Sequence, residues 1–429
     1  MLRPAESERL ARVGPGTPLG AALRKYWLPA CLSKELPEPD GAPIRVRLLG
    51  EDLVAFRDSD GGVGLVSAFC PHRRAPMFFG RNEASGLRCV YHGWKFDRNG
   101  TCVDMPSEPP VLRQAPDDNV RKTEVRIEAY PTYEAGGIVW SCLDPLDAPP
   151  PPAFELLRVP DTHRIVTKTF EECNYLQALE GGLDNVHAAI LHRRSVKGDL
   201  SFLRDYHRLI PKVEVRRTPY GYAFSAVRQM DGKQWARISQ FFMPTMQLRG
   251  TVQMENRHDN RMPTLDGHIW VPVDDLHTWV YNFTYAYFPD QPLPEDLALE
   301  LEVDQGRGPG DVTHDYKLVR NRTNDYLIDR TMQKRGNFTG IAGVNTQDYA
   351  LQENMEPIVD RTKEHLGSID LPIIAVRQLL LEACDDVAAG KPPRGVDPET
   401  HRTVRAADHF IAAGLDWADA LRVETETRY

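Results

Sequence analysis

From about Ile44 to Leu143 the chain is written in short runs rich in β-branched and aromatic residues: IRVRLLG, DLVAFRD, GVGLVSAFC, WKFDRNG and GGIVWSCL. Turn residues separate them, as at Asp60-Gly61-Gly62 and Asn99-Gly100. This pattern predicts an all-β module of roughly 100 residues. Four consecutive prolines, Pro149–Pro152, follow; such a run is stiff and extended and suits a domain boundary. Beyond it, Leu176, Leu179, Leu183, Val186 and Ile190 recur every three or four positions, which predicts a helix over 174–192. Further strand-like runs are GYAFSAVRQ, WARISQFFM, GHIWVPVDD and HTWVYNFTYAYF, and from about Asp348 the chain reads as mainly helical. Strands flanked by helices predict an α+β second domain. The expected boundaries are a leading segment, 1–40, packing on the second domain; the β module, 41–148; and the second domain, 149–429.

Composition narrows the class. The 429 residues suffice for two domains with sizeable cores, and 41% hydrophobic with 26% charged content is ordinary globular usage. A net charge of −9 argues against nucleic acid, whose phosphates need a basic surface. The polar opening MLRPAESERLARVG lacks the apolar segment of a signal peptide, and no apolar run approaches the roughly 18 residues of a membrane span. These features predict a soluble, cytoplasmic protein. Its seven cysteines are odd in number and sparse, so a disulfide framework is not expected. Cys31, Cys142, Cys173 and Cys384, and with them Cys102, read as small buried hydrophobes.

Two of the seven stand apart. Cys70-Pro71-His72 and Cys89-Val90-Tyr91-His92 each pair a thiol with an imidazole, and 16 residues separate His72 from Cys89. Zinc fingers place two Cys before two His, or use four Cys, so the order here is wrong for structural zinc. It suits a Rieske [2Fe–2S] cluster, in which two thiolates hold one iron and two imidazoles the other. Each loop then gives its Cys to the first iron and its His to the second. Gly93 is expected to let backbone N–H groups approach the sulfurs, and Trp94 and Tyr91 to shield the metal or simply pack.

A second constellation follows in LEGGLDNVHAAILH: Glu180, Asp184, His187 and His192. Two imidazoles and a carboxylate make the facial triad that binds Fe(II) in oxygen-activating enzymes. His187 and His192 are five apart, about 140° around an ideal helix. The helix is therefore expected to distort between them, by a π-type turn or by ending near Leu191. Asp184 and His187, three apart, are expected to share a face.

Cys-x-His…Cys-x-x-His followed by Asp-x-x-His-x4-His resembles the catalytic α subunit of the Rieske non-haem iron oxygenases, the ring-hydroxylating dioxygenases and demethylases. The resemblance covers nearly the whole chain. RVGPGTPLGAALRKYWLPA and QDYALQENMEPIVDRTKEHLGSIDLPI place it near the phthalate dioxygenase and aromatic O-demethylase branch. It implies an N-terminal all-β Rieske domain and an α+β, helix-grip-like catalytic domain with an antiparallel sheet. It implies one Rieske cluster on Cys70, His72, Cys89 and His92, and one mononuclear iron on His187, His192 and a downstream carboxylate. Asp348 matches that position; Asp325, Asp329 and Asp360 are the alternatives. It implies O2 as cosubstrate and a separate NAD(P)H-dependent reductase with flavin and a plant-type [2Fe–2S] centre; no dinucleotide fingerprint occurs in this chain. It also implies a homo-oligomer, a trimer or a multiple of three, in which Asp184 links His187 to His92 of the partner subunit. Naphthalene-type relatives carry Asn where this chain has Glu180, which weakens transfer of their mechanism or substrate.

The expected reaction is hydroxylation or dihydroxylation of an aromatic substrate, an aryl carboxylate by branch; the alternative is O-demethylation of a methoxyaromatic acid. An electron carrier without catalysis would need only the β module, and a zinc-stabilised binding module would be colourless rather than red-brown. Arg237, on an otherwise mostly apolar strand, needs a partner: either a substrate carboxylate or a structural Asp or Glu. Arg193 and Arg194 read as surface residues.

Overall fold

The computed structural model describes residues 2–108, 125–193, 210–230, 232–250 and 262–429. The chain divides into two units, residues 23–151 and residues 1–22 with 152–429.

In the first unit the strands are β1 (Trp27–Leu32), β2 (Ile44–Leu48), β3 (Glu51–Arg57), β4 (Val63–Ser67), β5 (Arg81–Asn82), β6 (Leu87–Arg88), β7 (Lys95–Phe96), β8 (Cys102–Asp104), β9 (Ala129–Tyr130), β10 (Thr132–Ala135) and β11 (Ile138–Cys142). They form antiparallel sheets in the orders β2-β3-β4-β9, β5-β6-β7-β8 and β1-β11-β10. The Asp60-Gly61-Gly62 turn closes β3–β4 as expected: buried Asp58 accepts from Asp60 N and Gly62 N at 3.1 and 2.9 Å. Phe56, Leu87, Phe96 and Met105 form a core that also contains Cys70, Cys89 and Cys102.

The expected break at residue 40 is corrected to the Ala22/Leu23 junction. The apolar run WLPACL cannot leave its backbone unpaired when buried. As β1 it pairs with β11, Trp27 opposite Cys142, and so belongs with the β module. Only residues 1–22 group with the second unit. There Leu10 and Ala11 are buried, and their carbonyls accept from Tyr175 Oη (3.0 Å) and Asn174 Nδ2 (2.9 Å).

The second unit contains β12 (Arg164–Glu171), β13 (Lys212–Thr218), β14 (Gly221–Met230), β15 (Lys233–Phe242), β16 (Met246–Gly250), β17 (Thr264–Pro272), β18 (Thr278–Ala286) and β19 (Ala407–Ala412). Among the described residues they make an eight-stranded antiparallel sheet, β12-β18-β17-β16-β15-β14-β13, with β19 also on β15. The single edge of β15 is shared: β16 pairs with Gln240–Phe242 and β19 with Lys233–Ile238. β19 lies within the stretch read as mainly helical. The longer helices there are Val344–Gln352 and Leu371–Ala388, with a single turn at Trp417–Ala420; Leu371–Ala388 packs on β13 and β14. Strands such as β14 and β18 are buried at nearly every position, because helices or further chain cover both faces.

The predicted helix over 174–192 is two pieces, Tyr175–Leu183 and a single turn, His187–Ile190. Asn174 caps the first by accepting from Leu176 N. Gly181 and Gly182 let it pack closely. A Cβ at 181 would lie 1.9 Å from Gln352 Nε2, and one at 182 would lie 2.2 Å from the Trp270 ring. Among the described residues no helix is long and apolar enough to cross a membrane.

Candidate metal centres

The two Cys-His loops are conformational twins. Cys70 N donates to Ala75 O at 2.9 Å and Arg74 N to Cys70 O at 2.8 Å; Cys89 N donates to Trp94 O at 2.8 Å and Gly93 N to Cys89 O at 2.9 Å. The fourth residue after each Cys is left-handed, Arg74 at φ 60° and Gly93 at φ 80°. Glycine at 93 answers both that conformation and the closeness of Pro106, whose Cγ would be 2.5 Å from a Cβ. Both thiols are buried and both imidazoles partly exposed. The rings of His72 and His92 meet at 4.5 Å, and Trp94 stacks on His72 at 4.4 Å and 8°. Tyr91 packs on the other imidazole, its ring centroid 4.2 Å from that of His92, although 57% of it remains exposed. Burial and the neighbouring Cys89 push the Cys70 thiol up to about 11. A thiol so placed binds as thiolate only with a cation to hold it, which is what iron supplies.

In the second unit the ligand atoms of His187, His192 and Asp348 lie within 4.8 Å of one another. Nε2 of His187 and of His192 stand 3.4 and 3.2 Å from the same oxygen, Oδ1 of Asp348. His192 Nδ1 lies 2.9 Å from Gln347 Oε1, while Gln347 Nε2 donates to Ile341 O at 2.9 Å. The amide is thereby oriented, so Nδ1 of His192 carries the hydrogen and Nε2 keeps its lone pair for a metal. Asp348 and Gln347 are neighbours on the helix Val344–Gln352, so one helix supplies a ligand and orients another.

Asp184 acts through a cap rather than a shared helical face. The first helix ends at it, and its Oδ1 accepts from Val186 N (2.7 Å) and His187 N (3.3 Å). That seeds the turn carrying His187 and leaves Oδ2 3.6 Å from His187 Nδ1. The turn then ends at Leu191, so the break lies before His187 as well as before His192. Burial disfavours a charged His187 ring, yet Asp184 and Asp348 outweigh it and raise the ring to about 10. Burial would likewise lift the Asp348 carboxyl, but the two imidazoles hold it far below the usual range. The pocket is thus configured to hold positive charge, the condition a divalent iron meets.

None of the alternative third ligands joins the cluster of His187, His192 and Asp348. Asp325 is exposed, Asp329 caps the turn at Thr331 and Met332, and Asp360 bonds Thr362 and Lys363. Glu180 is buried between Arg361 and Arg377, at 3.2 and 2.6 Å, and is an anchor of the helix rather than a ligand. Arg237 pairs with buried Asp408 at 3.1 Å, which favours the structural reading over substrate binding. Arg193 is part-exposed, and Arg194 lies outside the described residues. Gln347 escaped the sequence reading; its place beside Asp348 was the available signal.

The sequence matches the family model of the Rieske [2Fe-2S] domain over residues 26–130 and that of the LigXa C-terminal domain like family over 146–428. It is 36% identical to the phthalate 4,5-dioxygenase oxygenase subunit of Pseudomonas putida, over 98% of this chain and 94% of the relative. It is 35% identical to the 3-chlorobenzoate-3,4-dioxygenase oxygenase subunit of Comamonas testosteroni, over 98% of each. Dicamba monooxygenase bound to dicamba shares the fold at TM-score 0.60 and 18% identity, over 86% of this chain and 99% of that one. With a β module of twinned Cys-His loops and a second domain whose two imidazoles meet one carboxylate, the chain belongs to the Rieske non-haem iron oxygenases, enzymes that carry a [2Fe–2S] cluster and a mononuclear iron and use O2.

Proposed function

We propose that this chain is the terminal oxygenase of a multicomponent system that hydroxylates or dihydroxylates an aryl carboxylate. Cys70 and Cys89 would hold one iron of the cluster and His72 and His92 the other. His187, His192 and Asp348 would hold the mononuclear iron. The cluster stores single electrons, and an iron with two imidazoles and one carboxylate keeps positions open for O2. The chain's own groups prepare that site: Gln347 sets the His192 tautomer, Asp184 nucleates the His187 turn, and Glu180 with two arginines fixes the helix beneath. The observation that carries the reading is the convergence of both Nε2 atoms on Asp348 Oδ1.

The electrons would come from a separate NAD(P)H-dependent reductase with flavin and a plant-type [2Fe–2S] centre. Asp184, 23% exposed at its side chain and facing His187, would bridge to His92 of the partner subunit in a closed ring of three chains or a multiple of three. Aryl carboxylates are favoured by the relatives named for phthalate and 3-chlorobenzoate. O-demethylation is the second reading, because the 5,5'-dehydrodivanillate O-demethylase oxygenase subunit of a Sphingobium strain is 29% identical over 94% of this chain.

The test is product analysis with a surrogate reductase and a panel of aromatic acids and methoxyaromatics. A diol or phenol from an aromatic acid supports the first reading. A phenol with stoichiometric formaldehyde supports the second. Turnover of neither class refutes both. His187→Ala, His192→Ala or Asp348→Ala should abolish oxygenation and leave the Rieske spectrum intact, whereas Cys70→Ala or His92→Ala should remove its visible bands.

A further inference from the structure

The pairing register places Phe241, Gln247, His268 and Asn282 opposite one another across β15, β16, β17 and β18. Directly opposed residues share a face, so these side chains form one row across the sheet. This face looks towards the iron-binding helices. A Cβ on Gly182, two residues before Asp184, would touch Trp270 and lie 3.3 Å from Gln247 Oε1. His268, opposite Gln247, is near enough to Asp348 to feel its charge.

Most of the row is satisfied. Asn282 Nδ2 donates to Thr169 Oγ1 and Val280 O at 3.3 Å each, so its oxygen accepts from His268 Nδ1 at 2.8 Å. His268 Nε2 then accepts from Arg249 at 3.0 Å. Burial first, then Arg249 and Arg307, keeps His268 neutral, well below the ordinary range. Both its nitrogens are committed.

Gln247 differs. It is 0% exposed, and neither its Nε2 nor its Oε1 has a hydrogen-bond partner among the described residues. A buried carboxamide with both ends unsatisfied destabilises a fold, and such groups are tolerated where a ligand completes them. Arg249, two residues along the same strand, adds positive charge on the same face. Its Nε is also unsatisfied among the described residues, and Asp266 at 3.2 Å offsets it only in part.

We propose that Gln247 is a specificity-determining residue of the oxygenase site, its Nε2 donating a hydrogen bond to the carboxylate of the aromatic substrate in the field of Arg249. Its Oε1 accepts from water that solvates the bound carboxylate. This rests on the aryl-carboxylate reading and adds the group that recognises the acid. A neutral amide beside a fixed arginine orients the carboxylate without forming a closed ion pair, so the ring is held by direction rather than charge alone.

The test uses holoenzyme with both metal centres quantified. The probes are phthalate, 3-chlorobenzoate and benzamide, titrated without O2 by calorimetry and by the EPR change of the ferrous nitric oxide adduct. Gln247→Leu keeps the size and removes both polar ends. It should bind the acids roughly 10- to 100-fold more weakly, the loss of a hydrogen bond to a charged group. It should melt no lower than the wild type, because nothing in the fold loses a partner. Gln247→Glu should reject the acids and still admit benzamide. Acid binding unchanged in Gln247→Leu would overturn the proposal, as would a lower melting temperature with unchanged binding, which marks a structural amide. A wild type that binds none of the acids would instead remove the aryl-carboxylate reading beneath it.

Discussion

Glu180→Gln is the sharpest test of whether the carboxylate ahead of Asp184 belongs to the chemistry or to the frame. Its carboxylate accepts from Arg361 Nε and Nη2 at 3.3 and 3.2 Å and from Arg377 Nε at 2.6 Å. Arg377 also pairs with Glu364 at 2.6 Å, so two arginines are balanced by two carboxylates. Burial alone would favour the neutral acid, but the two arginines hold the Glu180 carboxyl below its usual range, and it is charged at neutral pH. Replacing it with Gln leaves one net positive charge at a place where Arg361 is 0% exposed. Stranding a buried charge in this way costs about 3–5 kcal/mol. At about 2 °C per kcal/mol for a domain of this size, the melting temperature of the catalytic unit should fall by roughly 6–10 °C. The assay is thermal unfolding of the holoenzyme followed by far-UV circular dichroism, with iron content and turnover measured at a temperature where the variant stays folded. Iron should be retained and turnover largely kept. Adding Arg361→Met should recover part of the loss, the coupling expected of a direct pair. An unchanged melting temperature with lost turnover would refute the structural role.

His401 accepts Ala153 N at 3.2 Å and stacks on Phe154, and burial depresses its ring to about 4. Its folded value lies below the unfolded one of about 6.5, so stability is complete above pH 6.5 and falls by about 3 kcal/mol as pH drops towards 4; denaturant melts against pH should show this limb, and His401→Gln should lack it. Gln347→Leu strands His192 Nδ1 in a buried site and should weaken iron binding by about 10- to 100-fold, measured by competition with a chelator, with the Rieske spectrum unchanged. Asp184→Asn keeps an oxygen to cap Val186 and His187 but loses the charge; both metals should stay bound and the cluster reducible, while single-turnover product formation should nearly stop. Normal single-turnover rates in that variant would remove Asp184 from the electron path.

The local order of residues settled the chemistry early. A metal loop is a short-range object, so Cys70-x-His72 and Cys89-x-x-His92 announce a two-iron cluster without any knowledge of the fold, and Asp184-x2-His187-x4-His192 likewise fits within one bend of chain. The turns at Asp60-Gly61-Gly62 and Asn99-Gly100, the apolar strands β14, β15, β17 and β18, and the need for a kink between the two histidines were legible for the same reason. Only tertiary packing decided what depends on distant partners. β1 joined the Cys-His module because β11 lay open to pair with it, and β19 became a strand because β16 covers only part of one edge of β15. Arg237 met Asp408 from 171 positions away and Glu180 met Arg361 across 181, separations that no local pattern encodes. The glycine pair at 181 and 182 reads in sequence as a weakness in a helix; in the fold it is the clearance that lets the helix settle on Gln352 and Trp270, ahead of the turn from which His187 reaches Asp348. Residue type and spacing fix which atoms can bind a metal, whereas burial and pairing fix which charges are spent on holding the frame and which are left for a ligand.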